Sequence, residues 1–203
     1  MKRVWVFGLA LLAVSCASSP WAARREASAP FRARLYIPRL YAPLVPGSAY
    51  PNKREPMPAR GRPGVVLVAP RRVFPRASEP LADRGLVVLR LDDPARLGEA
   101  AAWLARQPEC EGAKIGAELV GLRTAPVPGP TVAAAAIIDG DMSTPMPIPA
   151  FLALTIDEGA EPPRGPAAMN VYRAPEGFRA VDLAPRQAWK DAAEWLAGAL
   201  IRR

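Results

Sequence analysis

The chain contains no histidine. That absence removes the usual general base near neutral pH and the commonest metal ligand. Cysteine is scarce, limited to Cys16 and Cys110. No apolar run reaches a membrane-spanning length, since Val4–Val14 offers eleven residues where about 20 are needed. No loop carries the carboxylate spacing of a known calcium motif. Aromatic residues are 7% of the chain and are not interleaved with basic ones, so nucleic acid is not expected among its partners. No internal repeat is evident.

Proline and arginine, by contrast, are plentiful. The 25 prolines forecast many short or irregular connections. The 203 residues, half of them apolar, suffice for one α/β domain with a real core. The charge is unevenly placed. Arg24 to Arg76 holds twelve basic residues against Glu26 and Glu55, a net of +10, whereas Ala77 to Arg203 holds thirteen basic and seventeen acidic, a net of −4.

The N-terminus reads as a processing signal. Lys2 and Arg3 precede the apolar Val4–Val14 stretch, which ends in Ala13-Val14-Ser15-Cys16. This ending resembles the lipobox of bacterial lipoproteins, with Ala13 in place of the usual leucine. The resemblance implies a signal peptide over 1–15, lipidation of Cys16, and residence in the cell envelope, anchored to a membrane and facing the periplasm or exterior. Several acyl chains on one residue give a stable anchor where one does not. Cys110 is then left without an intramolecular disulfide partner and reads as a small, partly buried thiol near a helix end.

Residues 16–62 read as the lipidated cysteine followed by a Pro/Arg-rich tether and lead-in, because prolines recur too often for helix or central strand. One edge strand is expected at Arg32–Ile37, with Leu35 and Ile37 on one face. A regular alternation starts at Pro63. Val65–Ala69 is an apolar run suited to a strand buried on both faces, followed by a helical piece at Ala77–Arg84 and a strand at Leu86–Leu91. Asp93 before Pro94 is a cap followed by an N1 proline, and Leu97, Ala100, Ala101 and Leu104 continue at helical spacing until Pro108. Further strands are expected at Ile115–Val120, Thr131–Ile138, Ala150–Ile156 and Ala167–Tyr172. A closing helix over Pro185–Ile201 presents Trp189, Ala192, Ala193, Leu196 and Leu200 on one face. The alternation predicts an α/β domain over 63–203, a three-layer αβα sandwich on a mostly parallel sheet.

The segments PGVVLVAP (63–70), LADRGLVVLRLDDP (81–94), AAAWLARQPECEGAKIG (100–116), VAAAAIIDG (132–140), IPAFLALTIDE (148–158) and VYRAPEGF (171–178) resemble, in order and spacing, the dienelactone hydrolase branch of the α/β-hydrolases. The resemblance implies a reduced α/β-hydrolase-like fold. It also implies a catalytic Cys or Ser on a sharp strand-to-helix turn, a following acid and a histidine. Carried over position by position, the nucleophile's slot falls near Gly121, in LVGLRT with no Ser or Cys in reach, the histidine's slot corresponds to Glu176, and the acid survives as Asp157 or Glu158. Leu122–Pro130 has nine residues with prolines at 126, 128 and 130, too few for the helix that follows the family's nucleophile.

Nucleophile, base and helix are missing together, so the domain is expected to be catalytically inactive and to act by ligand binding or scaffolding. The alternative is a weak esterase or lactonase with a rearranged site using the Thr124 hydroxyl. Ligands of open parallel sheets bind beyond the carboxyl ends of the strands. There the sequence offers Arg71, Arg72, Asp92, Asp139, Asp141 and Asp157 as binding candidates, and Arg76 beside them. No cofactor and no metal is expected. The basic 24–76 segment is expected to meet anionic lipid head groups or envelope polymer.

Overall fold

The computed structural model describes residues 21–27, 31–41, 55–56, 60–122, 126, 128–140, 147–157, 169–174 and 186–201. The signal stretch 1–15, Cys16, Thr124, Asp141, Glu158 and Glu176 lie outside the described residues. The elements run β1 (Trp21–Glu26), β2 (Ala33–Pro38), β3 (Leu40–Tyr41), β4 (Glu55–Pro56), β5 (Gly64–Val68), α1 (Phe74–Asp83) and β6 (Val87–Leu91). They continue with α2 (Leu97–Ala105), β7 (Ile115–Val120), β8 (Val132–Ile138), β9 (Ala150–Asp157), β10 (Met169–Ala174) and α3 (Arg186–Ile201).

Eight strands form one mixed, mostly parallel α/β sheet in the order β1-β2-β6-β5-β7-β8-β9-β10, and β3 pairs with β4 separately. Only β2 runs against the others, antiparallel to both β1 and β6. The five remaining pairings from β6 to β10 are all parallel.

The pairing moves the start of the domain. Residues 21–38 were expected to be tether with a single edge strand, and the domain to begin at 63. Instead β2 lies inside the sheet with a partner on each side, and β1 forms the edge. The cause is burial. Leu35, Tyr36 and Trp21 are removed from water almost completely, and β2 covers the backbone of β6 that would otherwise stand unpaired. Among the described residues of the lead-in, Pro38 ends β2, Pro56 ends β4 and Pro63 precedes β5. Leu35 and Ile37 do share a face.

Successive residues of the central strands enter opposite clusters, which is the mark of a sheet covered on both sides. In β5, Val65 and Leu67 join a cluster built with α1 and α3, while Val66 and Val68 join one built with α2. β7 alternates likewise: Ile115, Ala117 and Leu119 belong to the α2 side and Val120 to the α1/α3 side. A register shift at Ile115/Gly116 lets Ala133 bulge, so that Val132 and Ala134 face opposite clusters in their proper sense.

The helices follow their sequence signals. Asp93 accepts from Ala95 N at 3.0 Å ahead of Pro94, capping a 3-10 turn that leads into α2. Helix α1 begins at Phe74, three residues before the expected Ala77, because Pro75 in its first turn is pre-set for helix. Helix α3 buries Trp189, Ala192, Ala193, Leu196 and Leu200, the face its spacing predicts.

Candidate functional site

The carboxyl ends of the parallel strands form a rim, and its centre is the end of β7. Gly121 follows Val120 directly and takes φ +64, the left-handed region that glycine enters without a Cβ penalty. Its amide donates to the Ile138 carbonyl at 2.8 Å, which carries the β7–β8 ladder one residue past the strand. The chain therefore turns sharply at the position assigned to the nucleophile, and the residue there carries no side chain. Further along, a Cβ on Gly129 would stand 3.1 Å from the Cα of Gly98 in the first turn of α2. Such close backbone approach favours glycine at 129, whereas a Cβ at 98 would make an ordinary contact at 3.6 Å.

Asp139, directly after β8, has φ 49, a conformation that aspartate tolerates better than most residues. Its carboxylate accepts the Thr155 amide at 2.6 Å and the Thr155 hydroxyl at 3.2 Å. Burial pushes its titration above the ordinary aspartate range, opposed by those two bonds. Next to it, a Cβ on Gly140 would meet Ile137 Cγ2 at 2.6 Å and Leu122 O at 3.2 Å, so the ends of β7 and β8 are in close contact. Asp139 thus acts as a clasp between β8 and β9.

Asp92 is occupied differently. It accepts from Arg90 at 2.9 Å and Arg71 at 3.3 Å, with Arg32 at 3.8 Å. Arg90 also lies over the Phe74 ring, 5.3 Å from its centroid. Arg71 and Asp92 were both candidate ligand contacts; the structure brings them to each other, closing an ion-pair network across the ends of β5 and β6. Arg72 is exposed in the loop between β5 and α1. Asp157 closes β9 opposite Ala174 of β10.

The acidic candidates do not form one group. Asp92 follows β6 and Asp139 follows β8, with β5 and β7 between. Three strand spacings of about 4.8 Å put them about 14 Å apart, too far to share one cation. Among the described residues no three carboxylate or thiol side chains are grouped to hold a metal.

Two titratable groups lie in the interior. Cys110 is fully buried, and burial, with Glu109 beside it, pushes its thiol up to about 12, which makes it inert as a nucleophile. Glu118, in the middle of β7, is 0% exposed, and neither of its carboxyl oxygens has a hydrogen-bond partner. Sequence reasoning passed over Glu118 because it took IGAELV only as a strand. The signal was a single carboxylate in a strand buried on both faces, which is rare unless paired.

No protein-family model matches the chain, and no curated protein matches it in sequence. Among the described residues, no helix is long and apolar enough to cross a membrane.

Proposed function

We propose that the protein is a lipid-anchored cell-envelope protein whose domain is a catalytically inactive, reduced α/β-hydrolase of the dienelactone hydrolase type, acting by binding or scaffolding. Leaving aside the short β3–β4 pair, the eight sheet strands numbered along the chain lie in the order 1-2-4-3-5-6-7-8 with the second reversed. That is the order of the α/β-hydrolase fold, and it supports the resemblance read from the sequence. Helices α1 and α3 against one cluster and α2 against the other support the three-layer reading.

The observation that carries inactivity is Gly121. By the resemblance, the nucleophile sits on a sharp, strained turn at the end of a strand, in a slot that falls near Gly121. Gly121 has that place and that backbone, with no hydroxyl or thiol. The chain also has no histidine to activate one. With Asp139 and Asp92 both engaged in holding strand ends, the rim is built for rigidity rather than for proton transfer.

The test is hydrolysis of short-chain aryl esters by the full chain, alongside membrane fractionation of wild type and Cys16→Ser. The reading expects background hydrolysis, and loss of membrane association on removing Cys16. Turnover abolished by Thr124→Ala would replace it with the weak-esterase reading; unchanged fractionation of Cys16→Ser would remove the anchor. Because Arg24 stands exposed on the edge strand β1, over the Tyr36 ring and next to Arg25, which pairs with Glu109 at 3.0 Å, contact of the basic segment with anionic head groups is part of the proposal, and it should weaken with salt.

A further inference from the structure

The Glu118 carboxyl has a definite place in the fold. On β7 a Cβ at Gly116 would meet Leu200 at 2.9 Å and Leu196 at 3.3 Å, both in α3. Val120 packs in the same cluster as those leucines. Glu118 lies between them at the two-residue period of a strand, so it points to the face covered by α1 and α3. Its neighbours across the ladder are Leu67 on β5 and Ala136 on β8, both in that apolar cluster. Among the described residues, Ser78 of α1 is buried too, its hydroxyl donating to the Pro75 carbonyl at 3.5 Å, and the cluster includes the Trp21 and Trp189 indoles and the Tyr36 phenol.

The other titratable groups of the covering helices stand elsewhere. On α1, Arg76 and Glu79 are exposed and Asp83 is half-buried at the helix end; on α3, Arg186, Lys190 and Glu194 are exposed. Asp191 accepts from Tyr172, itself half-buried on β10, at 2.6 Å and from Gln187 at 2.6 Å. Neither β5 nor β8 contributes a charged side chain to this face. On β6, two strands away in the same row, Arg90 faces this side too, over the Phe74 ring and paired with Asp92 at 2.9 Å; among the described residues no cation is paired with Glu118.

We propose that Glu118 makes the packing of α3 on the sheet proton-dependent: as a neutral acid it is buried with the apolar cluster, and as a carboxylate it loosens the helix. An ionised carboxylate in such surroundings is strongly disfavoured relative to water. Burial accordingly pushes the group from an ordinary 4.5 up to about 8. The sign follows directly. Below 4.5 the group is protonated whether folded or not, and contributes no pH dependence. Between 4.5 and about 8 the unfolded chain has lost the proton and the folded chain keeps it, so stability falls as pH rises. Above about 8 both states are ionised and the loss is complete.

The experiment measures unfolding of the full chain from pH 5 to 9.5, in wild type, Glu118→Gln and Glu118→Leu. The expected wild-type unfolding constant rises about tenfold per pH unit relative to Glu118→Leu up to about pH 8, then runs parallel to it. Glu118→Gln should run parallel to Glu118→Leu throughout. A wild-type-to-variant ratio that is constant over this range overturns the proposal. Two measurements on wild type alone cover the case in which neither variant folds. The infrared band of a protonated carboxyl should persist at pH 6.5 and vanish by pH 9.5, and exchange protection of the α3 amides should fall over the same interval. A band already absent at pH 6.5, or α3 protection unchanged after correction for intrinsic exchange, counts against it equally.

Discussion

Asp139 holds Thr155 by two bonds at once, from the backbone amide at 2.6 Å and from the side-chain hydroxyl at 3.2 Å. The clasp joins the end of one parallel strand to the interior of the next. Removing it with Asp139→Ala leaves a part-buried amide without its acceptor and puts alanine at φ 49, so a loss of about 2–4 kcal/mol is expected. Asp139→Asn keeps one acceptor oxygen and tolerates the left-handed backbone, and should lose about 1 kcal/mol. Urea unfolding of the two variants separates the contributions; equal losses would show that the carboxylate is not the clasp.

Gly121 invites reconstruction. Gly121→Ser restores a hydroxyl at the turn, but φ +64 costs a non-glycine residue about 1–2 kcal/mol. Since no imidazole exists to take the proton, aryl-ester hydrolysis should remain at background. Substantial turnover by this variant would mean that some other side chain serves as base, and the inactive reading would have to be given up.

The first two strands should be indispensable. A chain beginning at residue 63 lacks β1 and β2, exposes the backbone edge of β6, and forfeits the burial of Leu35, worth about 1.5–3 kcal/mol by itself. It should aggregate or unfold without a cooperative transition, while a chain beginning at residue 20 melts cooperatively. Circular dichroism of the two truncations decides it.

Cys110 should resist modification. With its thiol pushed up to about 12 and its side chain fully buried, a disulfide reagent at pH 8 should leave it unlabelled in a Cys16→Ser background until denaturant is added. Rapid labelling of the native protein would show that the turn before β7 opens readily.

Much of the sheet was legible in the sequence because its strands carry simple signals. Ile115–Val120 is read to the residue from its apolar run, and α3 from the spacing of Trp189 to Leu200. The strand β1 and the inner place of β2 were not legible: Arg32-Ala33-Arg34-Leu35 alternates charged and apolar residues like an exposed edge, and the inner position of β2 follows from a partner, β1, whose own residues are mostly exposed. Loop residues such as Asp92 and Asp139 were locatable at strand ends, but their partners depend on strand order. Arg71 reaches Asp92 only because β5 and β6 are neighbours, and Thr155 meets Asp139 only because β9 follows β8 in the sheet. Glu118 is the converse case, where the residue type alone was the warning and the apolar strand around it concealed it.

The reversal of β2 fixes the end of the sheet at which the described chain begins. Since β2 opposes both neighbours, β1 runs in the same sense as the central strands, and Trp21 begins at their amino ends, beside Pro38. Gly121, Asp139 and the Arg71–Asp92 pair lie at the other end, a strand length of about 17–20 Å away. Cys16 precedes Trp21 by five positions. An acyl chain there would fasten the domain by its floor and hold it close, with the rim of strand ends turned outward toward soluble material rather than toward the lipid.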